Sequence, residues 1–124
     1  MSQQVDSQTK AFVASAAIPQ FSRVVLASNG TVSAAVLADR EIGISQTPAF
    51  AAGDLVTVKL RSAAGTHKAI AAAAIARGAQ VFSAAAGRVS VSATGAFNLG
   101  QALEPAGAAG DIIEIIYCTP GAVV

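Results

Sequence analysis

Apolar and polar residues alternate along two six-residue stretches of the chain, a pattern typical of a half-buried β-strand. In residues 55–60 the predicted core face carries Val56, Val58 and Leu60. In residues 112–117 it carries Ile113, Ile115 and Tyr117. The same Gly-Asp pair precedes both strands, as Gly53-Asp54 and Gly110-Asp111.

These two strands belong to a tandem duplication. A constant shift of 57 residues, the distance from Gly53 to Gly110, aligns residues 9–60 with residues 66–117 without a gap. Glycine and proline matches carry the most weight, because these residues fix the backbone where the chain must turn. Identical pairs include Ile18/Ile75, Val24/Val81, Gly30/Gly87, Val32/Val89, Gly43/Gly100 and Pro48/Pro105.

Turn signals recur every eight to twelve residues or so, which predicts four or five short strands in each copy. We therefore predict an all-β fold, a small β-sandwich or barrel built from two pseudo-twofold-related copies. Asn29-Gly30 predicts a hairpin, because both residue types accept positive φ, and Ala86-Gly87 is its weaker counterpart. Gly43 and Gly100 lie inside predicted strands and indicate a bulge or a close backbone approach.

Residues 69–77, followed by Gly78, would on their own indicate a helix with a glycine C-cap. The equivalent segment of the first copy ends in Ile18-Pro19, which stops a helix. We therefore expect a strand followed by at most one helical turn.

The predicted organisation is an N-terminal arm, residues 1–8, and a single β domain, residues 9–124, with a short C-terminal tail. The arm is polar and lies outside the repeat. It is either a disordered terminus or a segment that becomes ordered on a neighbouring subunit.

The chain has 124 residues, a net charge of +1 and only 12% charged residues, which favours neither nucleic-acid nor anionic-membrane binding. No apolar run approaches the roughly twenty residues that span a bilayer, and no secretory signal is visible. Cys118 is the only cysteine, so we expect no disulfide and a small buried hydrophobic residue in the last strand. Such a bland surface suggests that other chains cover part of it.

Residues suited to catalysis are scarce. His67 is the only histidine and aligns with Lys10, so we expect a solvent-facing position. Asp54 and Asp111 each follow a glycine, where a short carboxylate caps turn amides. Phosphate-loop and dinucleotide-binding motifs are absent. We predict no catalytic residue, no metal ligand and no cofactor.

Differences between the copies suggest contact surfaces. On the outer face of the last strand, Ile112 and Ile116 flank Glu114, and this face is covered either by a neighbour in the fold or by a second subunit. Phe50 lies in a proline loop where the second copy has Gly107, and it either plugs its own barrel or docks on a partner. Candidate contacts in the arm are Ser2, Gln3, Gln4 and Val5.

The order and spacing of the turns and strands resemble the capsid cement, or head decoration, proteins of tailed bacteriophages. In the second copy the resemblance rests on Arg77-Gly78, Val81-Phe82, Ala86-Gly87-Arg88-Val89, Leu99-Gly100 and Gly110-Asp111, followed by an isoleucine-rich strand. In the first copy it rests on Arg23-Val24-Val25-Leu26, Ile42-Gly43-Ile44 and Gly53-Asp54.

This resemblance implies a non-enzymatic virion protein, often trimeric, made in the host cytoplasm. Such a protein binds the outer surface of a head shell formed by the major capsid protein and stabilises it. Two alternatives stay open: a fibre or tail-associated structural subunit, and a cytosolic β-barrel that binds a small ligand.

Overall fold

In the computed structural model, residues 8–117 are described, and they fold into ten β-strands. No α-helix occurs within this range, and one 3-10 turn covers Ala85–Gly87. The predicted all-β class is confirmed. The strands are β1 Thr9–Val13, β2 Arg23–Leu26, β3 Val32–Ala34, β4 Gly43–Ser45, β5 Leu55–Leu60, β6 His67–Ile70, β7 Gln80–Ser83, β8 Val89–Ser90, β9 Asn98–Ala102 and β10 Ile112–Tyr117.

The strands form two five-stranded antiparallel sheets with the same topology. The first sheet has the order β1-β5-β4-β2-β3, and the second has the order β6-β10-β9-β7-β8. Each strand of the second sheet occupies the place of the strand five earlier in the first. Two copies of a five-stranded unit, as the duplication predicted, are therefore present.

Strand register is also repeated. Val13 pairs with Leu55 in the first unit, and their counterparts Ile70 and Ile112 pair in the second. The two edges of each sheet meet through short parallel bridges, Ala14 to Val32 and Ala71 to Val89. Each sheet is therefore strongly curved and closes around its own interior.

Two separate cores result. The first unit encloses small and branched side chains, namely Ala14, Ile18, Val24, Val32, Ala49, Val56 and Val58. The second encloses the counterpart set, namely Ala71, Ile75, Val81, Val89, Ala106, Ile113 and Ile115, with Ala69, Leu99 and Ala102. Ile44 of the first unit is buried against this second core and helps to join the units.

The alanine-rich segment after His67 is not helical: it is a strand as far as Ile70 and then makes isolated bridges, in line with the strand that the duplication predicted. β6 ends at Ile70, Ala71 makes the edge bridge, and Ile75 makes a further isolated bridge to Ala106. Ile18 and Ala49 form the same bridge in the first unit. The pairing partners supplied by the fold thus outweigh the local helix propensity of alanine.

The two hairpin turns differ from each other in detail. Only Gly30 of the Asn29-Gly30 pair has positive φ, at 88°, because the turn spans five residues and is closed by a 2.8 Å bond from the Ala27 amide to the Thr31 carbonyl. In the weaker counterpart both residues are left-handed, Ala86 at 59° and Gly87 at 73°. The hairpins predicted at both sites are confirmed.

Gly43 lies where two strands approach closely. A Cβ at this position would overlap the carbonyl oxygen of Lys59 and lie 2.7 Å from Cγ1 of Val58. In the second unit, Gly100 pairs with Val81 beside an irregularity in the β7–β9 register. Both in-strand glycines therefore have the structural reasons predicted for them.

Several predictions fall on residues outside the described range. These are the arm contacts Ser2, Gln3, Gln4 and Val5, the burial of Cys118, and the C-terminal tail. Gln8, the last residue of the predicted arm, is described, and its carbonyl accepts a 3.0 Å hydrogen bond from the Leu60 amide.

Candidate interaction site

Two equivalent loops precede the last strand of each unit. In the first, Oδ2 of Asp54 accepts hydrogen bonds from the amides of Phe50 at 2.9 Å and Ala51 at 3.1 Å. In the second, Oδ2 of Asp111 accepts bonds of 2.9 and 3.2 Å from Gly107 and Ala108. The predicted capping role of both carboxylates is confirmed, and each loop is held in one conformation.

Phe50 projects from the first of these loops and is 82% exposed. It therefore does not plug the interior of its own unit. Its counterpart is Gly107, so only one of the two loops presents an aromatic side chain. A partner contact is the alternative that this placement leaves for Phe50.

The outer face of β10 is open at one end. Ile112 is 52% exposed, whereas Glu114 and Ile116 are half-buried. Glu114 pairs with Lys68 of β6, and Ile116 pairs with Gln101 of β9. Neighbouring strands thus account for part of the cover on this face, and Ile112 is its most accessible apolar residue.

Glu114 also takes part in the junction between the units. Its Oε2 accepts a 2.6 Å hydrogen bond from the Thr66 hydroxyl, and the Thr66 carbonyl accepts a 2.5 Å bond from Nζ of Lys59. Thr66 precedes β6 in the connection from the first unit. A polar cleft of about 600 Å³ beside this junction is lined by residues that include Phe21, His67 and Glu104. Lys59 and Glu114 differ from their counterparts, Ile116 and Thr57. Their contacts with Thr66 within the chain therefore account for this difference.

His67 is buried, with only 2% of its surface exposed, so the predicted solvent-facing position is wrong. Its Nε2 lies 3.0 Å from the Leu60 carbonyl, and its ring packs edge-on against Tyr117 with 4.8 Å between centroids. Desolvation by burial lowers the pKa of His67, with a smaller contribution from the charge of Lys59. β6 begins where the units meet, so His67 faces the first unit, a surrounding that the alignment with Lys10 does not reveal.

Arg23 was missed by the sequence reasoning, although it holds the two units together. Its side chain is fully buried and donates to four backbone carbonyls. Two lie in the first unit, Val36 at 3.2 Å and Asp39 at 3.4 Å. Two lie in the second unit, Ala84 at 2.5 Å and Arg88 at 2.8 Å. The five N–H groups of one guanidinium thus bridge the interface.

Glu41 and Tyr117 complete what we call the Arg23 cluster. The Arg23 Nη1 and Glu41 Oε1 atoms lie 3.7 Å apart, and the Tyr117 hydroxyl donates to Oε2 of Glu41 at 2.8 Å. Burial lowers the pKa of Arg23, an effect that the charge of Glu41 opposes. Burial raises the pKa of Tyr117 well above its usual value, and the charge of Glu41 adds to this. The phenol of Tyr117 therefore stays neutral near neutral pH.

A sequence signal for this cluster was present. The counterparts of Arg23 and Glu41 are Gln80 and Asn98, an uncharged pair joined by a 3.4 Å contact from Asn98 Nδ2 to Gln80 Oε1. Gln80 is exposed. A charged pair in one copy that is replaced by a neutral pair in the other marks a position where the units have different surroundings.

The sequence model of the phage cement protein family matches residues 2–117, which is nearly the whole chain. The chain belongs to the phage cement protein family. The resemblance based on its turns and strands is confirmed, and this cement protein is a structural protein of the phage capsid. No curated protein matches the chain.

For a cement protein the sites of interest are contact surfaces. Within residues 8–117 no group of three or more His, Asp or Glu side chains is arranged to hold a metal ion. Over the same range no helix has the length and apolar character needed to cross a membrane. The exposed residues that distinguish one unit from the other are therefore the most informative part of this cement protein.

Proposed function

We propose that this cement protein binds the outer surface of the assembled phage head as a homotrimer, contacts the major capsid protein there, and stabilises the shell without catalysing a reaction. Family membership supports the capsid role. The low charge of the chain, with 12% charged residues, supports a function based on surface contact.

The exposed Phe50 is the observation that carries the proposed shell contact. Its loop is fixed by Asp54, so docking orders little additional backbone, which lowers the entropic cost of binding. Burial of an aromatic ring removes on the order of 150 Å² from water, about 3–4 kcal/mol at 25 cal/mol/Å². One such contact is modest, but three in a trimer act together on a symmetric shell.

The remaining candidate contacts supplement this anchor. Ile112 supplies an exposed apolar side chain on the outer face of β10. The other candidates proposed for the shell or for a neighbouring subunit are Glu114, Ile116, Ser2, Gln3, Gln4 and Val5.

Sedimentation with purified shells tests the proposal. The wild-type chain is mixed with expanded and unexpanded heads that lack it, and bound protein is measured in the pellet. Phe50→Ser should weaken binding about tenfold or more, the effect expected when an interface anchor is lost. Val36→Ser is the matched control, because Val36 is also an exposed apolar residue, at 57%.

Each outcome decides a separate point. A wild-type chain that sediments with neither form of the shell would rule out the cement role. Wild-type binding by Phe50→Ser would rule out the anchor while retaining the role. Stabilisation is measured as the temperature at which shells rupture with and without bound protein, and it should rise because the ligand binds only the intact shell.

A small-ligand function is the second candidate, and a cleft of about 490 Å³ favours it. Its lining includes Ile42, Leu60, Leu99 and two polar groups, Glu41 and Tyr117. Clefts of about 300–1,000 Å³ with a few convergent polar groups are typical of ligand sites. Tyr117 is the only tyrosine and tryptophan is absent, so ligand binding should change the tyrosine fluorescence of the chain.

A further inference from the structure

The two units contact each other through different faces. The second unit contributes the turn at residues 83–88, which we call the docking turn. The Gly87 amide donates to the Ala35 carbonyl, and the Ser83 hydroxyl donates to the Leu37 carbonyl, both at 2.7 Å. A Cβ on Gly87 would lie 3.0 Å from Cβ of Ser22. The docking turn is therefore tightly packed on the first unit.

The counterpart of the docking turn is exposed when only residues 8–117 are considered. It comprises residues 26–31, which we call the free turn. Leu26 is 48% exposed, and Ala27 and Gly30 are exposed as well. Apart from Gly30 and its two chain neighbours, no heavy atom of residues 8–117 lies within 4 Å of the position that a Cβ on Gly30 would take. Their equivalents Ser83, Ala84 and Gly87 are all buried.

The surface that receives the docking turn also has an unoccupied counterpart. The first unit receives the turn on three buried residues, Ser22, Arg23 and Ala35. Their equivalents in the second unit are the half-buried Ala79 and the exposed Gln80 and Ser92. We call this second-unit region, extended to the exposed Thr94, the free surface.

The second unit packs its docking turn on the first unit, but the first unit does not pack its own turn on the second. Among residues 8–117, the free turn and the free surface are therefore both left without this contact. Repetition of such a head-to-tail contact between chains gives either a closed ring or an open filament. We propose that copies of this cement protein associate head to tail, with the free turn of one chain on the free surface of the next. This contact would be the interface of the proposed homotrimer, and the number of chains rests on that proposal. Three chains would then form a ring of six units.

The chemistry of the two free regions suits this contact. Leu26 borders a shallow groove of about 420 Å³ whose lining includes Phe12, Val13 and Leu55, so its burial removes apolar surface from water. Leu55 is 69% exposed. Leu26 thus presents an exposed apolar side chain at the position where its counterpart Ser83 is buried.

The free surface supplies polar donors without charge. Gln80 stands in the place of Arg23, and its amide can donate to the Ala27 carbonyl of the next chain as Arg23 donates to Ala84. A neutral donor avoids the desolvation cost of burying an ion when separately folded chains meet. Oδ1 of Asn98, beside Gln80, is buried and has no hydrogen-bond partner among residues 8–117.

Disulfide trapping tests the proposed interface. Leu26 and Thr94 are the counterparts of Ser83 and Leu37, which are in contact, so Leu26→Cys/Thr94→Cys should cross-link between chains. Cys118→Ser is included to remove the native thiol. Non-reducing gels of the oxidised protein should show covalent dimers and trimers and no larger species. The control Leu26→Cys/Ala76→Cys places the second thiol at an exposed site outside the free surface.

Light scattering provides the second measurement. Leu26→Asp should weaken self-association about tenfold or more, because a charge would be buried in an apolar contact. Val36→Asp, at a similarly exposed apolar site that lies in neither the free turn nor the free surface, should leave it unchanged. Oligomers that form without the 26–94 cross-link would overturn the inferred interface and leave the trimer intact. A wild-type chain that binds shells as a monomer would overturn self-association and leave shell binding intact.

Discussion

Replacement of Arg23 by glutamine, the residue at its counterpart position, should strongly destabilise the protein. The variant loses most of the donors that reach the four carbonyls, two of them in the second unit. It also leaves the Glu41 carboxylate fully buried without its cation. Removal of one partner of a buried ion pair typically costs about 3–5 kcal/mol. For a chain of this size the melting temperature should fall by roughly 10–20 °C.

The double variant Arg23→Gln/Glu41→Asn gives the first unit the neutral pair that the second unit carries at Gln80 and Asn98. The unpaired buried charge is then absent, and an asparagine oxygen can still accept from Tyr117. The double variant should be more stable than Arg23→Gln alone by about 2 kcal/mol, so the effects of the two substitutions should not add, as is typical of residues in contact.

Urea unfolding of the wild type, both single variants and the double variant measures this cycle. Gln80→Met, at the exposed counterpart, is the control and should stay within about 0.5 kcal/mol of wild type. Because each unit has its own core, loss of the Arg23 cluster should also lower the m-value as the units begin to unfold separately. The idea that the Arg23 cluster holds the units together would be refuted by either of two results. One is a loss of unfolding free energy below about 1 kcal/mol for Arg23→Gln, and the other is a double variant whose loss equals the sum of the two single losses.

Three further predictions concern pH, the docking turn and the arm. Burial depresses the pKa of His67 in the folded state. Its contribution to stability is therefore fully present above about pH 6.5 and is lost as pH falls through the lowered pKa. Urea midpoints measured from pH 8 down to pH 5, about the range in which histidine titrates, should show a decline that the His67→Gln variant lacks. Gly87→Ala should lower the free energy of unfolding by about 2–4 kcal/mol, and Gly30→Ala should lower it by about 1 kcal/mol. Both glycines have positive φ, but only at Gly87 would a Cβ contact the other unit. Equal losses of stability in thermal melts would contradict this. Deletion of residues 2–7 should weaken shell binding or trimer formation with little change in the melting temperature of the isolated domain, and a collapse of that temperature would show that the arm is part of the fold.

Much of the fold could be predicted because its determinants are local and occur twice. The core alternation of β5 and β10 and the repeated Gly-Asp turns predict where strands begin and which side chains point inward. The comparison with Ile18-Pro19 corrected the helical signal of residues 69–77. Agreement between the two copies thus replaced information that a single segment lacks.

The surfaces could not be predicted in the same way, because they depend on which faces of the units meet. Alternation tells which side of its own sheet a residue faces, but not whether a second unit covers that side. His67 and Arg23 were misjudged or missed for this reason. The left-handed Ala86 has the same origin, since its turn is docked on the first unit through Gly87.

Differences between the copies have two physical causes that burial separates. Where the residue is buried, as with Arg23, or bonded at the junction, as Lys59 and Glu114 are to Thr66, the difference is explained by the contact between units. Where the differing residue is exposed and apolar and its counterpart carries no apolar side chain, we propose that a contact with another molecule accounts for the difference. Phe50 and Leu26 meet this second condition, at 82% and 48% exposure. Divergence combined with exposure therefore shifts the search for partners from the outer face of β10 to the Phe50 loop and the free turn.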